Sequence, residues 1–211
     1  VSRARAIALD GRPVGRRGAA ARRELGLCCV PEERHGHGAV TDMSLVDNTV
    51  LSAHHRMQLV ACGLVRQQVA RDFARRIVDA FDVKAAGVDA TAGSLSGGNL
   101  QKFIVGREIL QAPGVLIASQ PTWGVDAGAA AAIHQALFEL AAGGTAVLVI
   151  SQDLDELLTL SDRMAVINEG RLSRTLVTAE ASIDEIGLLM GGLHGMEHEV
   201  PAPARETAGV A

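Results

Sequence analysis

The chain has 211 residues, enough to enclose a real core, and 48% of them are hydrophobic, which excludes disorder as the default reading. Aromatic residues make up only 2% and tyrosine is absent, so no stacking surface for single-stranded nucleic acid is expected. The net charge is -4, without the basic stripe that follows a phosphate backbone, and no nucleic-acid partner is expected.

In chain order, residues 7–9 and 13–14 flank Asp10-Gly11, which predicts a short strand pair across a turn. Arg12, Arg16, Arg17, Arg22 and Arg23 form the densest positive patch and read as a solvated face. A short helix is predicted over 19–25, then a Cys-containing apolar strand over 27–30. A polar, glycine-rich loop follows over 32–38. Residues 44–88 read as helical throughout, with Leu59, Val60, Gly63 and Leu64 at helical spacing, and likewise Val69, Phe73, Ile77, Val78 and Phe81. A loop over 91–98 leads to a helix over 99–110, with Leu100, Phe103, Ile104 and Ile109 facing inward.

The rest alternates. Strands are predicted over 115–118, 146–150 and 164–167, and helices over 127–142 and 154–160. Glu169-Gly170 then turns the chain into Arg171-Leu172. Buried apolar strands alternating with helices imply an α/β fold with a parallel sheet covered on both faces. The tail from about Gly191 is rich in Gly, Pro, Ala and Glu and is expected to be mobile.

Three cysteines, Cys28, Cys29 and Cys62, occur without CxxC spacing, which fits thiols buried as small apolar residues in a reducing compartment. The histidine pairs His35/His37, His54/His55 and His194/His198 have no third ligand at a recognised spacing, so no metal site is expected. No run approaches the ~18 apolar residues that cross a bilayer, and no signal-peptide pattern opens the chain. Any membrane link is expected to come through a partner.

Leu95-Ser96-Gly97-Gly98-Asn99 precedes Leu100-Gln101-Lys102. Ser96 suits a helix cap, and two glycines let another backbone or a phosphate come close. Free N–H groups at a helix start make an anion site. The string alone also fits an ordinary capped turn. Its surroundings carry more. An apolar strand ends in Ser119-Gln120-Pro121-Thr122, Gly124-Val125-Asp126 follows, and the next strand ends in Ser151-Gln152-Asp153. Together with 30–38 and 43–48, this order resembles the ATP-binding cassette (ABC) ATPase domain. The stretches in question run from the Q-loop through the helical subdomain, signature loop, Walker B strand and D-loop to the switch region. The resemblance covers about residues 5–190. The phrases at 30–34, 118–122 and 187–191 are most similar to the second ATPase half of monosaccharide and nucleoside importers, with a lean to the nucleoside branch.

The resemblance implies a P-loop NTPase-like fold with a helical insertion. It divides the chain into a partial β region with the Q-loop (1–43), the helical subdomain (44–94), the signature helix with the α/β core (95–190) and a tail (191–211). No GxxxxGK(S/T) phosphate loop occurs in the chain, and an opening at Val1 is expected to reflect truncation before it. Three departures stand apart from that. Ser119 and Gln120 occupy the positions of the Walker B Asp and the catalytic Glu. Gln152 occupies that of the switch His, and the Q-loop Gln is replaced near Glu32. An uncharged amide orients water without taking its proton, and loss of a general base costs about 10²–10⁴ in rate.

This chain's own site is therefore expected to be degenerate. Ser96, Gly97, Gly98, Asn99 and Gln101 are expected to face ATP in trans. ATP and Mg²⁺ are expected to be held mainly by a partner ABC domain, fused or separate. Asp126 fits both a D-loop contact and an N-cap, and Trp123 fits either packing or a partner contact. Further partners implied are membrane permease subunits and, indirectly, a solute-binding protein, with the chain peripheral on the cytoplasmic face of the plasma membrane. A non-hydrolysing nucleotide-sensing or structural module is the alternative. Absence of sustained heptads argues against the coiled-coil ATPases of DNA repair.

Overall fold

A computed structural model describes residues 7–192. The histidines at 194 and 198, and the tail beyond Gly192, lie outside the described residues. Two compact units are present, one running to Leu154 and the other from Asp155.

The first unit opens with the antiparallel pair β1 (Ala8–Leu9) and β2 (Arg12–Pro13), then α1 (Ala19–Glu24) and β3 (Leu27–Val30). In the arginine patch Arg12, Arg16 and Arg17 are exposed, as a solvated face requires, while Arg22 and Arg23 are half-buried. Arg22 donates to the carbonyls of Arg17 and Gly15 at 3.0 and 3.2 Å, and Arg23 pairs with a buried carboxylate. α2 (Leu45–Ala53) starts at Ser44, whose Oγ accepts the N–H of Asp47 at 3.0 Å.

The uniform helix expected over 44–88 is interrupted. β4 (Val60–Ala61) and β5 (Leu64–Val65) form a hairpin around Cys62 and Gly63, at φ 50° and 76°. A two-residue loop with both φ values positive matches the twist of the strands, and glycine in its second position makes it accessible. Helical spacing over 59–64 was therefore coincidental. α3 (Gln67–Ala80) resumes the helix and buries Ala70, Phe73, Ala74 and Ile77.

α4 (Gly97–Ile109) is buried on nearly all sides. Leu100, Phe103, Ile104 and Val105 lie in the core, while Ile109 is only half-buried. Its contact with α3 is tight: a β-carbon at Gly106 would stand 2.5 Å from Phe81 Cδ2. β6 (Val115–Ser119), α5 (Ala127–Ala142) and β7 (Ala146–Ile150) follow as expected from the apolar runs. β3, β6 and β7 make a parallel sheet in the order β3-β6-β7. β7 is not the doubly covered strand its composition suggests: Leu148 and Ile150 stay 53% and 48% exposed, both on one face of the strand.

α6 (Leu154–Leu160) begins where the first unit ends. In the second unit β8 (Arg163–Met164) pairs with β11 (Leu176–Val177), and β9 (Ile167–Asn168) with β10 (Arg171–Leu172) across the Glu169-Gly170 turn. α7 (Ile183–Met190) is capped by Ser182, and Asn168 donates to its last carbonyl at 2.7 Å. Among the described residues no helix is long and apolar enough to cross a membrane.

The polar centre of the first unit is Glu108, which is fully buried. Its Oε1 accepts from Ser52 Oγ at 2.6 Å and Arg107 Nε at 2.9 Å; its Oε2 accepts from Arg23 Nη1 at 2.9 Å and Gln111 Nε2 at 3.2 Å. Arg107 extends the network to the carbonyls of Asn48 and Gly38, at 3.1 and 2.8 Å. Burial pushes the Glu108 carboxyl up, but the Arg107 and Arg23 guanidinium groups and the Ser52 hydroxyl outweigh it and hold it below its ordinary 4.5.

The cysteines divide by burial. Desolvation, with Glu108 nearby, pushes the buried Cys28 thiol up to about 12. Cys29 is half-buried and raised for the same reason, whereas Cys62 is exposed in the hairpin turn, against the expectation of burial.

Two tests follow from this packing. Glu108→Gln leaves Arg107 buried without its counter-charge and lowers the unfolding free energy by about 3–5 kcal/mol in urea titration. A carboxyl depressed in the fold stabilises it above the unfolded value, so the parent loses this contribution as pH falls below 4.5, and Glu108→Gln lacks that slope. In thiol-labelling of the native chain Cys62 reacts first, and Cys28 reacts only on unfolding.

Candidate functional site

The three parallel strands end side by side, with Val30 opposite Ala118 and Ser119 opposite Ile150. Their carboxyl ends therefore bring Glu32, Ser119, Gln120 and Gln152 to one edge of the sheet, where open α/β sheets take ligands. Gln120 turns sharply at φ 49°, and its N–H donates to Ile150 O at 2.7 Å. It is buried, Ser119 is half-buried, and Glu32 and Gln152 are exposed. None of positions 119, 120 and 152 carries a charge. Amide and hydroxyl groups there can orient water but cannot act as a general base.

Beside this edge stands the turn that opens α4. Ser96 caps the helix: its Oγ accepts from Asn99 Nδ2 at 2.9 Å and from Asn99 N at a longer 3.4 Å. Asn99 Oδ1 accepts the Lys84 N–H at 2.8 Å, so both ends of this amide are engaged within the chain. Ser96 and Gly97 are exposed, and Gly98 is half-buried. A serine hydroxyl and the first free amides of a 13-residue helix, carrying its partial positive charge, face outward there.

Gln101 departs from its expected place at a ligand. It is 1% exposed, and its Nε2 donates to Pro121 O at 2.7 Å. Its position on α4 points it into the core, where it ties the helix to the turn over 120–126. A second link lies at Gly98, where a β-carbon would meet Asp126 Oδ2 at 3.7 Å and Val125 Cβ at 3.9 Å. Asp126 caps α5 by accepting the Ala129 N–H at 2.9 Å, and this bond holds its carboxyl below the usual range. Trp123 is 66% exposed, so packing within this chain does not account for it.

Arg34 also reaches this place, and the sequence reading did not single it out. It is the lone cation beside Glu32 and Glu33, yet its guanidinium lies against Gly97 and Gly124 rather than in solvent. Among the histidines, His37 pairs with Glu33 at 2.7 Å, His55 with Glu24 at 3.4 Å, and the His54 ring lies tilted against that of His55. Among the described residues no group of three potential metal ligands gathers. A shallow hollow of about 290 Å³ is lined by Leu9, Asp10, Arg12, Glu24, Leu25 and Arg56, and includes none of the strand-end residues.

The capping role of Asp126 can be tested apart from any ligand. Asp126→Asn keeps an acceptor and holds the urea midpoint near the parent's. Asp126→Ala removes it and lowers the midpoint.

No family model matches the chain. It is 40% identical to the guanosine import ATP-binding protein NupO of Bacillus subtilis, over 80% of this chain and 33% of that protein. It is 42% identical to the nucleoside import ATP-binding protein NupA of Lactococcus lactis, over 77% of this chain and 32% of that one. The ribose import ATP-binding protein RbsA of Chelativorans sp. is 38% identical, over 89% and 36%. The chain thus spans about a third of the length of the curated relatives it matches. Among solved structures, a dimeric ATP-binding cassette in a post-hydrolysis state with ADP and Pi superposes with a TM-score of 0.66 at 17% identity, covering 81% of this chain and 72% of that one. A dimeric bacterial ABC transporter cassette gives 0.65 at 16%. The chain therefore has the fold of an ATP-binding cassette ATPase domain, and its curated relatives are the ATP-binding proteins of nucleoside and sugar importers.

Proposed function

We propose that the chain works as the ATP-binding component of an importer for sugars or nucleosides, as the second of two ABC halves. In this reading Ser96 and the amides of Gly97 and Gly98 contact the terminal phosphate of ATP held by a partner ABC domain. One observation carries it: the turn at 96–98 is outward-facing and capped, while the strand ends at 119, 120 and 152 carry no charge. The first arrangement suits electrostatic stabilisation of a phosphoryl group in flight. The second lacks the carboxylates that hold Mg²⁺ and polarise water.

ATP and Mg²⁺ are accordingly held mainly by the partner, and this chain alone turns over little ATP. Glu32, Ser119 and Gln152 line the degenerate site, and Asp126 and Trp123 face the partner domain. The names of the relatives, guanosine, nucleoside and ribose import ATP-binding proteins, support the transport role and the solute class. The dimeric cassettes of the same fold support the pairing. The helical block then meets the permease, which places the chain peripherally on the cytoplasmic face of the membrane, with the solute-binding protein an indirect partner. Uncharged strand ends also favour a second reading, a nucleotide-sensing module without hydrolysis.

ATPase measurements on the assembled pair with its permease separate these readings. Ser96→Arg and Gly97→Asp each lower turnover by at least about 10²-fold, the scale of losing an oxyanion donor. Gln120→Ala changes it by less than about threefold, because an amide is no base to lose. A large loss from Gln120→Ala defeats the trans-donor reading, and an assembly without solute-stimulated turnover favours the sensing module.

A further inference from the structure

Arg34 has no part in the reading above. It follows β3 in a loop whose backbone is pinned, with Ala39 N donating to Arg34 O at 2.7 Å and Gly38 N to Glu33 O at 2.9 Å. Its guanidinium lies between two turns. A β-carbon at Gly97 would stand 2.9 Å from Nη1, and one at Gly124 would stand 3.4 Å from Nη2 and 3.9 Å from Nη1. Both positions hold glycine, so the cation rests against bare backbone on each side.

Its charge is not balanced. Nη2 is buried and has no hydrogen-bond partner. Glu33 pairs with His37, Asp126 caps α5, and Glu32 is exposed; no ion pair joins Arg34 to any of the three. Burial lowers the Arg34 pKa, the mark of a cation short of partners. An unmet buried donor on a charged group reduces stability. A neutral side chain of the same length would fill this gap at lower cost, so packing does not account for a guanidinium here. What the charge does supply is a positive field directly behind the first amides of α4. In a partly desolvated site that field is screened little.

We propose that Arg34 is a positioning residue for the turn at 96–98. Its guanidinium, with Nη2 unpartnered, lies against Gly97 on one side and Gly124 on the other and raises the positive potential that Ser96, Gly97 and Gly98 present to a terminal phosphate. The proposal rests on the reading that this turn faces such a phosphate. Arg34 acts through the turn and does not touch the nucleotide itself.

The test uses Arg34→Met, which keeps an unbranched stem and removes the guanidinium head with its charge, and Arg34→Lys, which keeps charge on a slimmer head. In the assembled pair, Arg34→Met lowers ATP turnover about tenfold, less than the loss of a direct donor, with KM for ATP within about twofold. The orthovanadate concentration for half-inhibition rises by a similar factor. Arg34→Lys recovers about half the turnover. In urea, Arg34→Met unfolds at a midpoint equal to or above the parent's, because an unpaired buried charge has been removed.

Parent-like turnover and vanadate sensitivity in Arg34→Met overturn the proposal. So does a lowered urea midpoint accompanying the loss, which makes Arg34 a packing residue, and so does an Arg34→Lys as impaired as Arg34→Met. Ser96→Arg, measured alongside, separates two failures. If Ser96→Arg leaves turnover intact, the reading of the turn itself fails. If Ser96→Arg abolishes turnover while Arg34→Met changes nothing, only the role of Arg34 falls.

Discussion

Glu108 sits where no water reaches it, and four side chains from three stretches of the chain donate to its two oxygens. An ionised carboxylate in such a place is tolerable only when fully paired. That requirement constrains much of the first unit. Arg23 must come from α1, Ser52 from α2, and Arg107 from α4 itself, and Arg107 must also reach the carbonyls of Asn48 and Gly38. Arg23 and Ser52 are fixed points on two other elements, so the carboxylate sets the spacing of α1 and α2 against α4 more sharply than apolar packing alone. The apolar side chains of α4 then close around it, with Phe81 drawn onto Gly106.

The consequence for function lies at the other end of the same helix. A helix gripped at 107–111 and packed along its length presents its N-terminus in one orientation. The turn at 96–98 inherits that rigidity, and Gln101 ties α4 to the neighbouring turn at 120–126 through Pro121 O. Preorganisation of this sort is what makes backbone amides effective toward developing charge, because they need not reorient as charge forms. The strand ends beside it show the opposite investment. Gln120 is held in a strained left-handed conformation, yet it has no charge to deliver.

Much of this was legible in local patterns. Apolar runs at 27–30, 115–118 and 146–150 announced three strands, and Ser96 followed by Gly97-Gly98 announced a capped helix. The hairpin at 60–65 was not read, because Leu59, Val60, Gly63 and Leu64 satisfy a helical period as well as a tight turn. Residue 63 being glycine was the only local sign. The exposure of β7 escaped for a different reason: an apolar run says that a strand prefers burial, while what covers each of its faces is set by elements distant along the chain.

The sequence by itself determined the three strands of the parallel sheet, the capped turn, and the missing charges at 119, 120 and 152. These are written in residues adjacent along the chain, where propensity and chemistry act at short range. Tertiary structure alone decided that Gln101 is interior, that Arg34 lies behind Gly97, and that Glu108 is the polar centre. Arg23 and Ser52 stand 85 and 56 residues from Glu108. Pairings at such separation leave no periodic trace, because they are selected by the fold that brings the partners within reach and by the cost of leaving a buried charge unmet.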